Sequence, residues 1–226
     1  DARQVAKELA LHDRSGRFTP YLRGTGALTL ITDPPGVEVR VHRFVFRDRR
    51  LVPEAVGSLG STPLVEVPLE MGSYLITLHA PGRAPVRYPV HIGRGGHWRG
   101  QPPGGGDPAV WLPPADRIAP DEVFVPRGWF LSGAERPPQR RWVEGFAIRR
   151  FPVTWREYAT FLAALIAAGR EADAEAFAPR GLGPGADPVL GHPEWLVVRI
   201  NWYGATAFAA WLAARGGDWR LPTELE

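Results

Sequence analysis

Between residues 28 and 92, apolar side chains recur at every second position, the period of extended strands with one buried face. Val37, Val39 and Val41 alternate with Glu38, Arg40 and His42. Val65, Val67, Leu69 and Met71 face one way, and Glu66 and Glu70 the other. Tyr74, Ile76 and Leu78 alternate with Thr77 and His79, and Val86, Tyr88, Val90 and Ile92 close the series. Turn chemistry separates these runs at Asp33-Pro34-Pro35-Gly36, Gly72-Ser73 and Pro81-Gly82. About five short antiparallel strands of this kind predict a small β-sandwich. Composition agrees, since 26 Gly and 24 Pro in 226 residues are too many for a helical bundle and suit strands, turns and long loops.

The residue inventory also removes whole classes of function. The chain has no cysteine, so these residues carry no disulfide, no thiolate metal site and no cysteine nucleophile. That suits a reducing or an oxidising compartment, with the cytoplasm the default expectation. No apolar run approaches the ~20 residues that span a bilayer, and the first residues lack the layout of a signal peptide. Basic residues number 27 and acidic ones 24, for a net charge of +3. Arg140 with Arg141, and Arg149 with Arg150, are short basic pairs rather than a stripe interleaved with aromatics, so no nucleic-acid partner is expected.

Four segments follow from these patterns. Residues 1–25 read as a helix and linker tail, residues 26–96 as the sandwich, residues 97–120 as a Gly/Pro-rich linker around Gln101-Pro102-Pro103-Gly104-Gly105-Gly106, and residues 121–226 as a second, mixed α/β domain rich in loops. Trp98 and Trp111 are large apolar residues in the linker, which implies that part of it is pinned against a surface. In the second domain, residues 123–125 and 142–148 read as strands. Thr154 with Glu157 forms a capping box ahead of a helical stripe of Tyr158, Phe161, Leu162, Leu165 and Ile166 that Gly169 ends. Residues 170–196 read as mostly loop and residues 197–200 as a short strand. Asn201 caps a second helix with the stripe Ala205, Phe208, Trp211 and Leu212, which Gly216-Gly217 stops. Thr223 and Glu226 form another capping box, so the sequence is expected to be part of a longer chain.

Two resemblances attach to these segments. Thr32-Asp33-Pro34-Pro35-Gly36-Val37-Glu38-Val39, with Thr62-Pro63-Leu64 and Gly72-Ser73-Tyr74, resembles the PEGA-type β-sandwich modules of bacterial surface and signalling proteins. With its Arg-rich insertion at residues 47–50 it is most similar to the segment that follows the catalytic domain of some bacterial serine/threonine kinases. The resemblance implies an upstream kinase domain, whose own motifs are not in this sequence. Val125-Pro126-Arg127-Gly128-Trp129-Phe130-Leu131-Ser132-Gly133, with Pro152-Val153-Thr154-Trp155-Arg156-Glu157-Tyr158, resembles the opening of the formylglycine-generating-enzyme (sulfatase-modifying factor) family. Asn201-Trp202-Tyr203-Gly204-Ala205 with Trp211, and then Arg220-Leu221-Pro222-Thr223-Glu224, are similar to its next two blocks. The resemblance implies a C-type-lectin-related fold. It also implies copper-dependent oxidation of a substrate cysteine, which needs cysteines that this sequence does not hold, so no catalytic, cofactor-binding or metal-binding residue transfers. Thr154, Glu157, Tyr158, Asn201, Trp202, Trp211, Arg220, Leu221, Pro222 and Glu224 are carried as structural motif residues.

Other features have a bland and a sharp reading. The histidines are scattered, and only His42, His79 and His91 would cluster, if their strands are neighbours. Trp155, Trp195, Trp202, Trp211 and Trp219 read as core, against the alternative of a carbohydrate-stacking platform. Arg220 and Glu224 read as a lock on the Leu221-Pro222 turn. The loop at residues 172–193 is a candidate for ligand contact. The expectation is a non-catalytic binding or scaffold protein that presents a lectin-type surface to a protein or glycan ligand, as a sensor arm or as a retroelement-diversified variable protein. The alternative is part of a copper-dependent oxidase with its cysteines beyond residue 226.

Overall fold

Val39 and Val41, at the heart of the first alternating run, lie on one of the two inner strands of a four-stranded antiparallel sheet. The computed structural model describes residues 2–133, 139–181 and 192–226. The chain divides into two compact units, Asp1–Ile148 and Arg149–Glu226. In the first, helices α1 (Ala2–His12) and α2 (Thr19–Arg23) precede β1 (Gly26–Leu30), β2 (Thr32–Asp33), β3 (Glu38–Arg47), β4 (Arg50–Ser61), β5 (Leu64–Leu69), β6 (Gly72–His79) and β7 (Val86–Ile92). Shorter pieces follow: β8 (His97–Trp98), β9 (Val110–Trp111), β10 (Glu122–Val125), β11 (Gly128–Ser132), β12 (Gln139–Val143) and β13 (Phe146–Arg149). Strand outweighs helix, and the fold is mixed α and β with several small sheets.

The main sheet runs β4-β3-β6-β7 and a three-stranded sheet runs β5-β1-β8, while β2 pairs with β9, β10 with β13 and β11 with β12. Register sets the buried face. Val39 lies opposite Leu78 and Val41 opposite Ile76, and β7 buries every second residue from Val86 to Ile92. A one-residue slip would turn this whole set to solvent. Leu28 and Leu30 of β1 and Leu64 of β5 join the same core, so both sheets share it. The turn residues that carry the first resemblance meet here as well. The buried Thr32 and Thr62 hydroxyls bond to each other, Thr32 donates to the Pro34 carbonyl at 2.7 Å, and Thr62 accepts the Val37 N–H at 3.1 Å.

Strand β4 has no counterpart in the sequence reading. Its residues lack alternation and include Pro53, Gly57 and Gly60, and it is an edge strand, the place where a sheet tolerates proline. The Arg-rich insertion is its hairpin turn. Arg47 pairs with Arg50 around Asp48 and Arg49, both at positive φ, as a two-residue turn of primed type requires. The stretch read as a linker holds β8, β9 and a 3₁₀ turn at Ala115–Arg117, and Val110 and Leu112 are buried in the common core with Phe124 of β10. Trp98 packs against that core, while Trp111, 43% exposed, meets the Phe124 ring edge to face at 5.4 Å.

The second unit packs α3 (Trp155–Ala167), α4 (Glu171–Phe177) and α5 (Trp202–Ala213) around Tyr158, Phe161, Leu165, Ala174 and Phe208. Helix α4 replaces part of the loop expected at residues 170–196. Its Ala-rich turns supply helix propensity, and Ala174 docks against the aromatic core. Residues 182–191 of the candidate contact loop lie outside the described residues. Residues 197–200 form no strand. An isolated bridge joins Thr154 to Leu196, and the Val197 N–H donates to the Val153 carbonyl at 2.9 Å. The run at residues 142–148 is two strands, β12 and β13, parted at Glu144 and Gly145. Among the described residues no helix is long and apolar enough to cross a membrane.

Candidate functional site

The motif residues of the second unit meet first at the start of α3. The Thr154 backbone N–H and hydroxyl both donate to Glu157 Oε2, at 2.8 and 2.9 Å, and the Glu157 N–H returns to Thr154 Oγ1 at 3.4 Å. Arg149 Nη2 donates to the other carboxylate oxygen at 2.6 Å. Burial alone would raise the Glu157 carboxyl, but the Thr154 N–H, the Arg149 guanidinium and the Thr154 hydroxyl outweigh it and hold the carboxyl below its ordinary value. One residue on, Tyr158 is fully buried and donates its hydroxyl to the Phe177 carbonyl at 2.9 Å. Burial pushes its phenol up to about 12.

Asn201 joins α5 to α4. Its Oδ1 accepts the Gly204 N–H at 2.7 Å, and its Nδ2 donates to the Ala176 carbonyl at 2.9 Å. Trp211 lies 5.7 Å from both Phe161 and Phe208, with the Arg215 guanidinium over its face at 3.7 Å. Trp155 also packs on this core, and Trp219 is half-buried. The other two tryptophans correct the core reading. Trp202 is 67% exposed and Trp195 49%, and Tyr203, which was not singled out, is 70% exposed. The reason is helical phase: Gly204 and Phe208 take the inward face of α5, which turns its first two aromatics outward. Their rings meet edge to face at 5.3 Å, and Trp195 lies 5.4 Å from the His192 ring.

At Leu221-Pro222 the lock has a different second half. Arg220 makes a bidentate pair with Glu226, at 2.7 and 2.6 Å, while Glu224 is exposed. Glu226 also accepts the Thr223 N–H at 2.8 Å and returns its own N–H to Thr223 Oγ1 at 3.4 Å, so the second capping box is formed. The Arg220 hydrogen bonds, then the Thr223 N–H, bring the Glu226 carboxyl down to about 2. Leu221 is half-buried and Pro222 exposed.

The histidine strands β3, β6 and β7 are neighbours, but register parts the rings. His42 faces Leu75, His91 faces Ser73, and His79 sits at the far end opposite Glu38. Among the described residues no three His, Asp or Glu side chains converge on a metal-sized space. The donors present do not fit a thiolate copper site, because the sequence contains no thiol.

The second unit thus sets two side-chain-capped helices and the shorter α4 on a small aromatic core, joined by long connecting segments. Residues 110–226, more than half of the chain, match the sulfatase-modifying factor enzyme 1-like domain, and the chain belongs to that family. No curated protein and no solved structure matches it.

Proposed function

We propose that this protein is a non-catalytic member of its family that binds a glycan or protein ligand through an exposed aromatic surface on the second unit. The observation that carries the reading is the pair Trp202 and Tyr203, exposed on the first turn of α5 although they belong to a family signature block. Large aromatics held in water lose apolar stabilisation unless something covers them. Asn201 anchors the backbone of this first turn by bonding both to its own helix and to α4, so little backbone freedom is lost when a ligand stacks there. In the same reading, the two sheets of the first unit form a PEGA-like β-sandwich and the second unit follows a C-type-lectin-type fold, together serving as the sensing arm of a signalling protein.

A glycan array probed with the full chain and with Trp202→Ala tests this. Saturable binding that Trp202→Ala abolishes, with the thermal midpoint unchanged, is the expected result. Binding that survives the substitution overturns the placement of the site. Conversion of a cysteine peptide to an aldehyde by the purified chain overturns the non-catalytic reading.

A further inference from the structure

The first unit holds a cleft of about 960 Å³ between the β11–β12 hairpin and the chain around β7 and β8. That size is typical of small-molecule sites. Trp98 and Trp129 line it, and each indole N–H is already engaged inside the protein: Trp129 donates to the Gln101 carbonyl at 2.8 Å and Trp98 to the Tyr88 hydroxyl at 3.4 Å. The rings are therefore oriented by bonds that leave their apolar surface for the cleft. Phe44, Pro89 and Phe130 extend that surface.

Among the described residues Arg99 and Arg140 line the cleft and no Asp or Glu does, while the Glu66 carboxylate stands 4.0 Å from Nδ1 of the lining His97. The Arg140 guanidinium carbon lies 4.8 Å from the Trp129 ring and 5.3 Å from the Trp98 ring. Among the described residues no carboxylate pairs with it. A guanidinium stacked on aromatics keeps its in-plane N–H edge available for a carboxylate in bidentate geometry. Arg99 is positioned from beneath. Its Nε donates to His97 Nδ1 at 3.2 Å, which leaves Nε2 as the ring donor toward Thr29 Oγ1 at 2.8 Å, an oxygen that also accepts the Glu66 N–H. In that arrangement the His97 ring props Arg99.

We propose that this cleft binds a small aromatic carboxylate, its ring against Trp98 and Trp129 and its carboxylate on Arg140. The site lies on other residues than the Trp202 surface and stands whether or not that surface binds a glycan. The test titrates the full chain with naphthoate and with its neutral isostere naphthamide, reading tryptophan fluorescence and calorimetric heat. Naphthoate should saturate and bind at least about tenfold more tightly than the amide, as a charge-assisted hydrogen bond implies. Arg140→Gln should erase that preference, Arg140→Lys should retain part of it, and Trp202→Ala should leave it unchanged. Equal binding of acid and amide, no saturation, an unaltered Arg140→Gln protein, or loss of binding in Trp202→Ala would each overturn the proposal. If Arg140→Gln does not fold, the comparison of acid and amide on the unsubstituted chain decides alone.

Discussion

Replacing Gly204 by alanine sets two physical effects against each other. Helix propensity favours the change by up to about 1 kcal/mol. Packing opposes it, because the new Cβ would stand 2.5 Å from the Tyr158 hydroxyl and 3.3 Å from both the Cβ and the carbonyl oxygen of Phe177. The hydroxyl cannot swing aside. Its ring is fully buried, with Phe161 and Phe208 each 5.4 Å away, and its bond to Phe177 ties it to the end of α4. Overpacking of this sort costs roughly 1–3 kcal/mol, so with the full propensity gain offset the net effect is a destabilisation of about 0–2 kcal/mol. Tyr158→Phe alone costs about 1 kcal/mol for the lost hydrogen bond. The double substitution removes the clashing oxygen and should cost less than the sum of the two, with a coupling of about 1 kcal/mol or more. Hydrogen-exchange protection of the α3 and α5 amides reads the second unit by itself, which two-unit unfolding curves would not. Additivity of the two changes, or a stabilised Gly204→Ala protein, would refute the close-approach reasoning.

Thr154→Ala removes the cap of α3 and should destabilise the second unit by about 1 kcal/mol, with Thr154→Ser restoring most of it, both read from the same α3 amides. Tyr158 ionises at about 12 when folded against 10.0 for a free phenol. Its contribution is therefore complete below the unfolded value and lost as pH rises through the folded one, and ultraviolet difference absorbance should show the last-ionising phenol disappear in Tyr158→Phe. Glu226 titrates near 2 against 4.5 unfolded, so the Arg220 turn is held above the unfolded value and released as pH falls toward 2. Carboxyl carbon shifts in an NMR titration check this, and Arg220→Ala should return Glu226 toward the ordinary range.

Elements whose signal is local were legible. The alternation of β3, β6 and β7, the capping box of α3 and the Asn201 cap each lie within a few consecutive residues, and each forms. Elements set by their neighbours were not. Strand β4 pairs by backbone alone at a sheet edge, where proline and glycine are harmless, and α4 is a short helix made worthwhile by the aromatic core it covers. The exposure of Trp202 required the phase of a helix whose apolar residues run almost all round it, so the inward face was fixed by Gly204 and its contact with α4. Arg220 was read with Glu224 because the two flank the turn, whereas the bidentate partner is Glu226, which the capping box brings round.

The proposed cleft was hidden for a related reason. Trp98 precedes the family match at residues 110–226, and Trp129 and Arg140 lie inside it. The matched stretch also supplies Val110, Leu112 and Phe124 to the core built by Val39, Ile76 and Leu78. The family boundary thus runs through one hydrophobic core and one cleft, while the compact units divide at Ile148. A domain cut at the family boundary would forfeit Trp98, the bond that orients its indole, and Arg99 with its histidine prop. The cleft belongs to the joined chain rather than to either resemblance. Whatever it binds is therefore to be sought among partners of this arrangement and not inferred from the family's common chemistry.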